Sequence, residues 1–298
     1  MLRKIRKSLV WYAFVAPALI LFGIFILYPT LETFHLSFYR EVVTKQEFVG
    51  ALHYLRLLTD QVFVAAILNT AVLGVAFLIL VIPLSLILAS LINQLRVWPD
   101  LFKLIFFLPQ VTSAVAIALI FRYVFEPNSG LVNGTLRLLQ VSPLPLWLSD
   151  PRPGLTGSRA AVTLLAVWAA LGYYMLIFLA GLQAIPVELY DAAIVDGASP
   201  LQAWWYVTIP SLRPTTVFLI LTGTIDAMSR FSDLWTLGGP GGSPGRSIQT
   251  VVMYIYQVGF GSSDFNLASA AAVVFFCIVL LLTLINFRTF LQREFSGQ

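Results

Sequence analysis

The chain has 298 residues, 59% of them hydrophobic and only 11% charged, with a mean hydropathy of +0.87, whereas a globular domain carries about 25% charged residues. This composition excludes a soluble enzyme and a disordered tail. The net charge of +4 comes from basic residues scattered over loops and tails with no dense patch, so a membrane surface accounts for the excess better than nucleic acid does.

Five stretches, 8–31, 61–95, 104–121, 160–187 and 265–287, contain no Asp, Glu, Lys or Arg, and each is about long enough to cross a hydrocarbon core as a helix of roughly 17–25 residues. Arg3, Lys4, Arg6 and Lys7 before the first stretch resemble a signal-peptide n-region. The stretch is too long for one, so it reads as a retained span at roughly 9–28. His35 and His53 follow in the first outer loop as solvated residues, and no His, Cys and Asp spacing suggests a metal site. The second span, 67–92, opens near Asn69, which suits a hydrogen bond between helices better than a ligand. A third span at 104–122 leads to an outer loop with turn chemistry in Pro127-Asn128-Ser129-Gly130, Pro143, Pro145, Pro151 and Pro153.

The fourth span, 161–184, carries Trp168, Tyr173 and Tyr174. A fifth fits at 212–231, where Asp226 and Arg230 interrupt the apolar run four residues apart and can neutralise each other on one helix face. Ionisable groups inside a span usually face a bundle interior or a wet cavity. The pair is therefore a structural ion pair, the membrane edge, or the polar wall of a path. Residues 238–247 are glycine-rich, but Pro240 stands where a Walker A loop needs glycine and Arg246 where it needs lysine, so they read as a plain turn. The sixth span, 266–287, contains Cys277, the one cysteine, which leaves no intrachain disulfide to form. The fold class is all-α: a polytopic membrane protein of six transmembrane helices, one domain over 1–298. Basic residues are about twice as concentrated on the side of the two tails, which places both termini in the cytoplasm.

The inner loop 186–210 is the most informative segment. Pro186 suits a first helical turn and Glu188 puts a carboxylate near the positive helix end. Helix-compatible residues run to Asp196, where Gly197 supplies the left-handed residue that commonly ends a helix. Ser199 and Pro200 then start a second helix as N-cap and first residue. Two short helices thus meet at Asp196-Gly197-Ala198, with alanines on one face and Trp204, Trp205 and Tyr206 beyond. The segment is either a docking element, which small residues and aromatic anchors suit, or an amphipathic elbow on the membrane face.

Glu188-Leu189-Tyr190-Asp191-Ala192-Ala193-Ile194-Val195-Asp196-Gly197-Ala198, followed by Ile209-Pro210, resembles the E-A-A loop of permease subunits in binding-protein-dependent ABC importers. The family's leading glutamate is Asp191 here, one methylene shorter. Phe106-Phe107-Leu108-Pro109, Gly130-Leu131-Val132-Asn133, Trp147-Leu148, Ala180 to Pro186, Gly238-Gly239-Pro240 and Gly259-Phe260 extend the likeness and narrow it to the maltose and glycerol-phosphate type. The usual Thr-Gly-Gly-Gly-Pro is Thr236-Leu237-Gly238-Gly239-Pro240 here. The resemblance implies a type I importer permease that moves a sugar or, alternatively, a glycerol-phosphate ester or other polyol. It implies a second permease subunit, two cytoplasmic ATPases that bind ATP and Mg, and an extracellular or periplasmic solute-binding protein, with no cofactor or catalysis on this chain. Coupling to the ATPase would fall to Glu188, Asp191, Ala192, Ala193, Asp196, Gly197 and Ala198. Read from the residues themselves, Trp168, Tyr173 and Tyr174 are either packing and belt residues or rings that stack on sugar faces, and with Asp226 and Arg230 they are the candidates for a substrate path. An ion-coupled secondary transporter fits less well, since it calls for inverted repeats and midplane ionisable sites.

Overall fold

A computed structural model describes residues 12, 14–42, 45–150, 152 and 157–295. The basic cluster Arg3, Lys4, Arg6 and Lys7, the start of the first expected span, Pro151 and Pro153 lie outside the described residues. In chain order the elements are α1 (Phe14–Leu36), a hairpin of β1 (Tyr39–Val42) and β2 (Lys45–Phe48), α2 (Leu52–Thr59), α3 (Gln61–Gln94), α4 (Pro99–Val111), α5 (Ala114–Val124), α6 (Leu131–Leu138), α7 (Ser158–Gln183), α8 (Val187–Val195), α9 (Pro200–Ala203), α10 (Arg213–Met228), α11 (Ser232–Gly238), α12 (Val251–Gly261) and α13 (Phe265–Phe295). Helices α1, α3, α7 and α13 are each long and apolar enough to cross a membrane, and α4 with α5 forms a further candidate span bent by 98°.

Two features depart from the expected spans. The third is broken rather than continuous: Pro109 removes an N–H near the end of α4, and Thr112 and Ser113 take extended backbone before α5 begins. The fifth is the 16-residue α10, about 24 Å long at 1.5 Å per residue, and Ser229 ends it before Arg230. The small β-hairpin, with Tyr39 opposite Phe48 and Val42 opposite Lys45, is an element that the hydropathy pattern did not signal.

The chain divides into two compact units. The first comprises 1–61 and 255–277. Here Asn266 Nδ2 donates to the Leu36 carbonyl at 3.1 Å, and Arg56 stands 3.5 Å from Asp264. His53, expected in solvent, is only 4% exposed and its ring nitrogen lies 3.0 Å from the Tyr39 carbonyl, because α2 folds back on the hairpin. His35 lies within α1, which runs further than the expected first span, and its ring is exposed beside Glu32.

The second unit comprises 62–254 and 278–298. Its core joins Phe77, Val81 and Ala89 of α3 with Val167, Met175, Phe178 and Leu182 of α7 and Leu219 of α10. Gly172 of α7 lies against α4 so closely that a Cβ there would sit 1.9 Å from the Phe106 carbonyl oxygen. Small residues permit such backbone approach between membrane helices.

Polar groups fix the end of the unit where α3 and α7 begin. Asn69 Nδ2 donates to the carbonyls of Arg246 (2.8 Å) and Gln249 (3.0 Å), and its Oδ1 accepts from Arg159 Nη2 at 2.6 Å. Arg159 Nε also donates to the Ser247 carbonyl, and Thr70 Oγ1 accepts from the Val251 amide. The glycine-rich turn is thereby clamped to α3 and α7, and Asn69 has the bonding role expected of it.

The loop after α5 is ordered by Asn133, which is buried, donates to the Pro127 and Pro145 carbonyls and accepts from Trp147 Nε1 at 2.7 Å. Its neighbour Glu126 accepts from the Ser129 and Asn128 amides and the Ser129 hydroxyl, which holds that carboxyl below its ordinary pKa. Asp150 is likewise held low, first by the Arg152 guanidinium bonded to it at 2.7 Å. Asn133→Ala should strand two carbonyls and an indole N–H at a cost of about 1–3 kcal/mol. Limited proteolysis should then nick the 125–150 segment faster; an unchanged cleavage rate would count against this anchoring role.

Candidate functional site

Two places gather the residues singled out in the sequence. The first is the hairpin 186–211. Pro186 is the N-cap of α8 rather than part of its first turn, because its ψ of 134° is extended. Helix α8 ends in a Schellman arrangement: the Gly197 amide donates to the Ile194 carbonyl at 3.0 Å and the Ala198 amide to the Ala193 carbonyl at 2.9 Å. Gly197 sits at φ +77° in open space. Ser199 then caps α9 in a full capping box with Gln202.

Beyond α9 the backbone passes through a π-helical turn, Trp204–Thr208. Tyr190 and Thr208 hydroxyls lie 2.9 Å apart and tie the two arms together, while Trp204 Nε1 donates to Ser90 Oγ of α3 at 3.0 Å. The hairpin is therefore braced, yet it leaves apolar surface uncovered: Val195 is 86% exposed, Ile194 68% and Tyr206 79%. Glu188 and Asp191 are exposed as well, and Ala192, Ala193 and Ala198 lie at or near the surface. Asp196 occupies the C-cap, where the negative end of the helix disfavours a carboxylate.

The second place is a cleft of about 350 Å³ lined by the α4–α5 break, α7, and the segment from Asp226 to Asp233. Pro109, Gln110 and Thr112 reach it from the break, and Tyr173, Tyr174, Asp226 and Arg230 from the rest. Non-helical backbone at membrane depth is tolerated only where it is buried in protein or lines a water-filled cavity, and Thr112 and Ser113 are exposed. The break and the cleft thus have one physical explanation.

Four of the five path residues named from the sequence meet in this cleft, and Trp168 does not. Its ring instead lies against Phe121 of α5, centroids 5.2 Å apart, and is 46% exposed. The expected Asp226–Arg230 pair is not formed, because the helix ends at Met228 and Arg230 leaves its face. Arg230 bonds Asp233 instead, with a further donation to the Val162 carbonyl at 3.2 Å. Asp233 was missed by the sequence reading; it is buried in the first turn of α11. The Tyr174 hydroxyl is buried and has no hydrogen-bond partner among the described residues. No group of three or more His, Cys, Asp and Glu that could hold a metal ion occurs among the described residues.

Comparison with known proteins gives a consistent result. The family of binding-protein-dependent transport system inner membrane components matches over residues 81–296. The chain is similar to the arabinooligosaccharides transport system permease protein AraP of Bacillus subtilis (strain 168), at 34% identity covering 96% of this chain and 90% of the relative. It is also similar to the lactose transport system permease protein LacF of Rhizobium radiobacter, at 33% identity covering 94% and 92%. Among solved structures, a bacterial ABC transporter involved in the import of the acidic polysaccharide alginate superposes with a TM-score of 0.84 over 97% of this chain and 98% of that one, at 24% identity, a likeness of fold. Apolar helices, the glycine-stopped hairpin and the family match over most of the sequence agree: the chain belongs to the binding-protein-dependent transport system inner membrane components and is a multi-pass permease subunit.

Proposed function

We propose that this chain is one permease subunit of an ATP-binding-cassette importer that moves a sugar, mono- or oligosaccharide, into the cell, and that 1–298 works as a single permease domain. The observation that carries the reading is the braced hairpin with its exposed apolar face and its Gly197 stop, in a chain similar to named sugar permeases. In this reading both termini and the hairpin are cytoplasmic. Glu188, Asp191, Ala192, Ala193, Asp196, Gly197 and Ala198 contact an ATPase, and a second ATPase serves a second, related permease subunit. ATP and Mg bind on those ATPases. An outer solute-binding protein delivers the sugar, which passes along Tyr173, Tyr174, Asp226 and Arg230.

Mechanically, closure of the ATPases pushes the hairpin, and the Trp204–Ser90 bond passes the displacement to α3 and the helices around the cleft. Because half a pore cannot close and the hairpin is unpaired, the chain alone should not transport. A transport-competent preparation of this chain by itself would overturn the subunit assignment.

The path assignment has its own test. Asp226→Cys in a Cys277→Ser background, in the assembled transporter, should react with a small water-soluble thiol reagent, and saturating substrate should slow that reaction at least about threefold. Labelling by lipid-soluble reagents alone, or without substrate protection, would remove Asp226 from the path.

A further inference from the structure

The cleft carries an uneven charge. Its ionisable lining is Asp226, Arg230 and Asp233. Arg230 Nη2 bonds Asp233 and the Val162 carbonyl, so these two charges cancel, while Arg230 Nη1 is buried without a partner among the described residues. The carboxylate of Asp226 has no hydrogen bond or ion pair among the described residues. The remaining polar lining is neutral: Gln110, Thr112, Tyr173 and Tyr174. Tyr174 is 2% exposed, and its hydroxyl is buried toward Gly223 without a partner among the described residues.

We propose that the cleft admits neutral polyhydroxyl solutes and turns anionic ones away, with Asp226 as the residue that sets this preference. The proposal rests on the reading of the cleft as the solute path. A carboxylate accepts hydrogen bonds from adjacent sugar hydroxyls. A phosphate ester or a uronate meets one uncompensated negative charge, focused by low-dielectric walls. The one cation of the lining, Arg230, is already neutralised by Asp233, so its unpartnered Nη1 offers a donor but leaves the net charge of the cleft negative. The fold itself does not dictate this preference, since the structure of the same fold imports an acidic polysaccharide. The lining does.

The test reads the local potential in the assembled transporter. Ala170 lines the cleft, and Ala170→Cys in a Cys277→Ser background serves as reporter. Its reaction rates with a cationic and an anionic methanethiosulfonate of similar size are divided by those of a free thiol. The cationic reagent should be favoured about tenfold. Asp226→Asn should bring the ratio close to that of the free thiol, while Asp226→Glu should keep it. A ratio near the free-thiol value in the starting protein, or one unmoved by Asp226→Asn, overturns the proposal. So does failure of both Ala170→Cys and Thr112→Cys to react at all, because the cleft would then be closed to water. Protection of the reporter by arabinotriose, lactose and maltose is measured in parallel. A cationic preference without protection by any of them would sink the path reading and leave the charge preference standing; protection without the preference would do the reverse.

Discussion

Gly197→Val is expected to lower transport by the assembled complex at least about tenfold while membrane insertion and ATP hydrolysis persist. The effect is purely conformational. A Cβ at this position would meet nothing within 4 Å, so no steric clash with the surroundings is involved. The backbone at φ +77°, however, costs a β-branched residue more than the ~1 kcal/mol that an ordinary L-residue loses in the left-handed region. The chain would relieve that strain by leaving the left-handed conformation, breaking the two hydrogen bonds that stop α8 and tilting α8 against α9. Gly197→Asn should retain most of the activity, because asparagine tolerates this conformation. Equal transport by the Val and Gly forms in proteoliposomes would remove the coupling assignment, and equal loss in the Asn and Val forms would show that side-chain bulk, rather than backbone geometry, matters there.

The second large effect is expected at Gly172, for the opposite reason. There a Cβ would overlap the backbone of Phe106 and Phe107, atoms that cannot rotate away, so even alanine must push α4 off α7. Overpacking of this kind costs about 1–3 kcal/mol and occasionally more, and Gly172→Leu should exceed Gly172→Ala. Because α4 leads directly into the break that lines the cleft, a shift of α4 also moves Gln110 and Thr112 relative to Tyr173. The expected result is a lower unfolding midpoint for the detergent-solubilised complex, with transport lost by the leucine variant. A leucine variant with an unchanged midpoint would contradict the close approach of these helices.

Much of this architecture was legible in the sequence because a membrane imposes one-dimensional rules. Charge-free runs gave the long helices α3, α7 and α13 to within several residues, and the Gly197, Ser199 and Pro200 signals gave the hairpin, because caps and stops act through neighbours in the chain. What escaped depends on residues distant in sequence. The break after Val111 needs Pro109 together with a cavity able to accept exposed backbone, and no local pattern records the cavity. Asp226 and Arg230 have helical spacing, but Ser229 ends the helix between them, and Asp233, lying beyond the expected span, takes the partner's place. Trp168 shares a helix with Tyr173, yet Phe121 from α5 claims its ring. His53 looked solvated because the hairpin that buries it is built from short polar strands with no hydropathy signature.

Helix α3 has a bond to another segment near each end. Near one end, Ser90 accepts from Trp204 of the hairpin; near the other, Asn69 grips the turn 246–249. The 21 residues that separate these positions span about 31 Å at 1.5 Å per residue, close to the thickness of a hydrocarbon core. A single rod thus links the two faces of a bilayer, and an axial displacement applied at Trp204 has only two outlets. Either the whole rod slides and drags the turn with it, or the rod flexes at Pro83, the one interior position of α3 that donates no backbone hydrogen bond. The stiffness of that short stretch, rather than the strength of any contact at either end, then decides how much of a push on one side of the membrane is felt on the other.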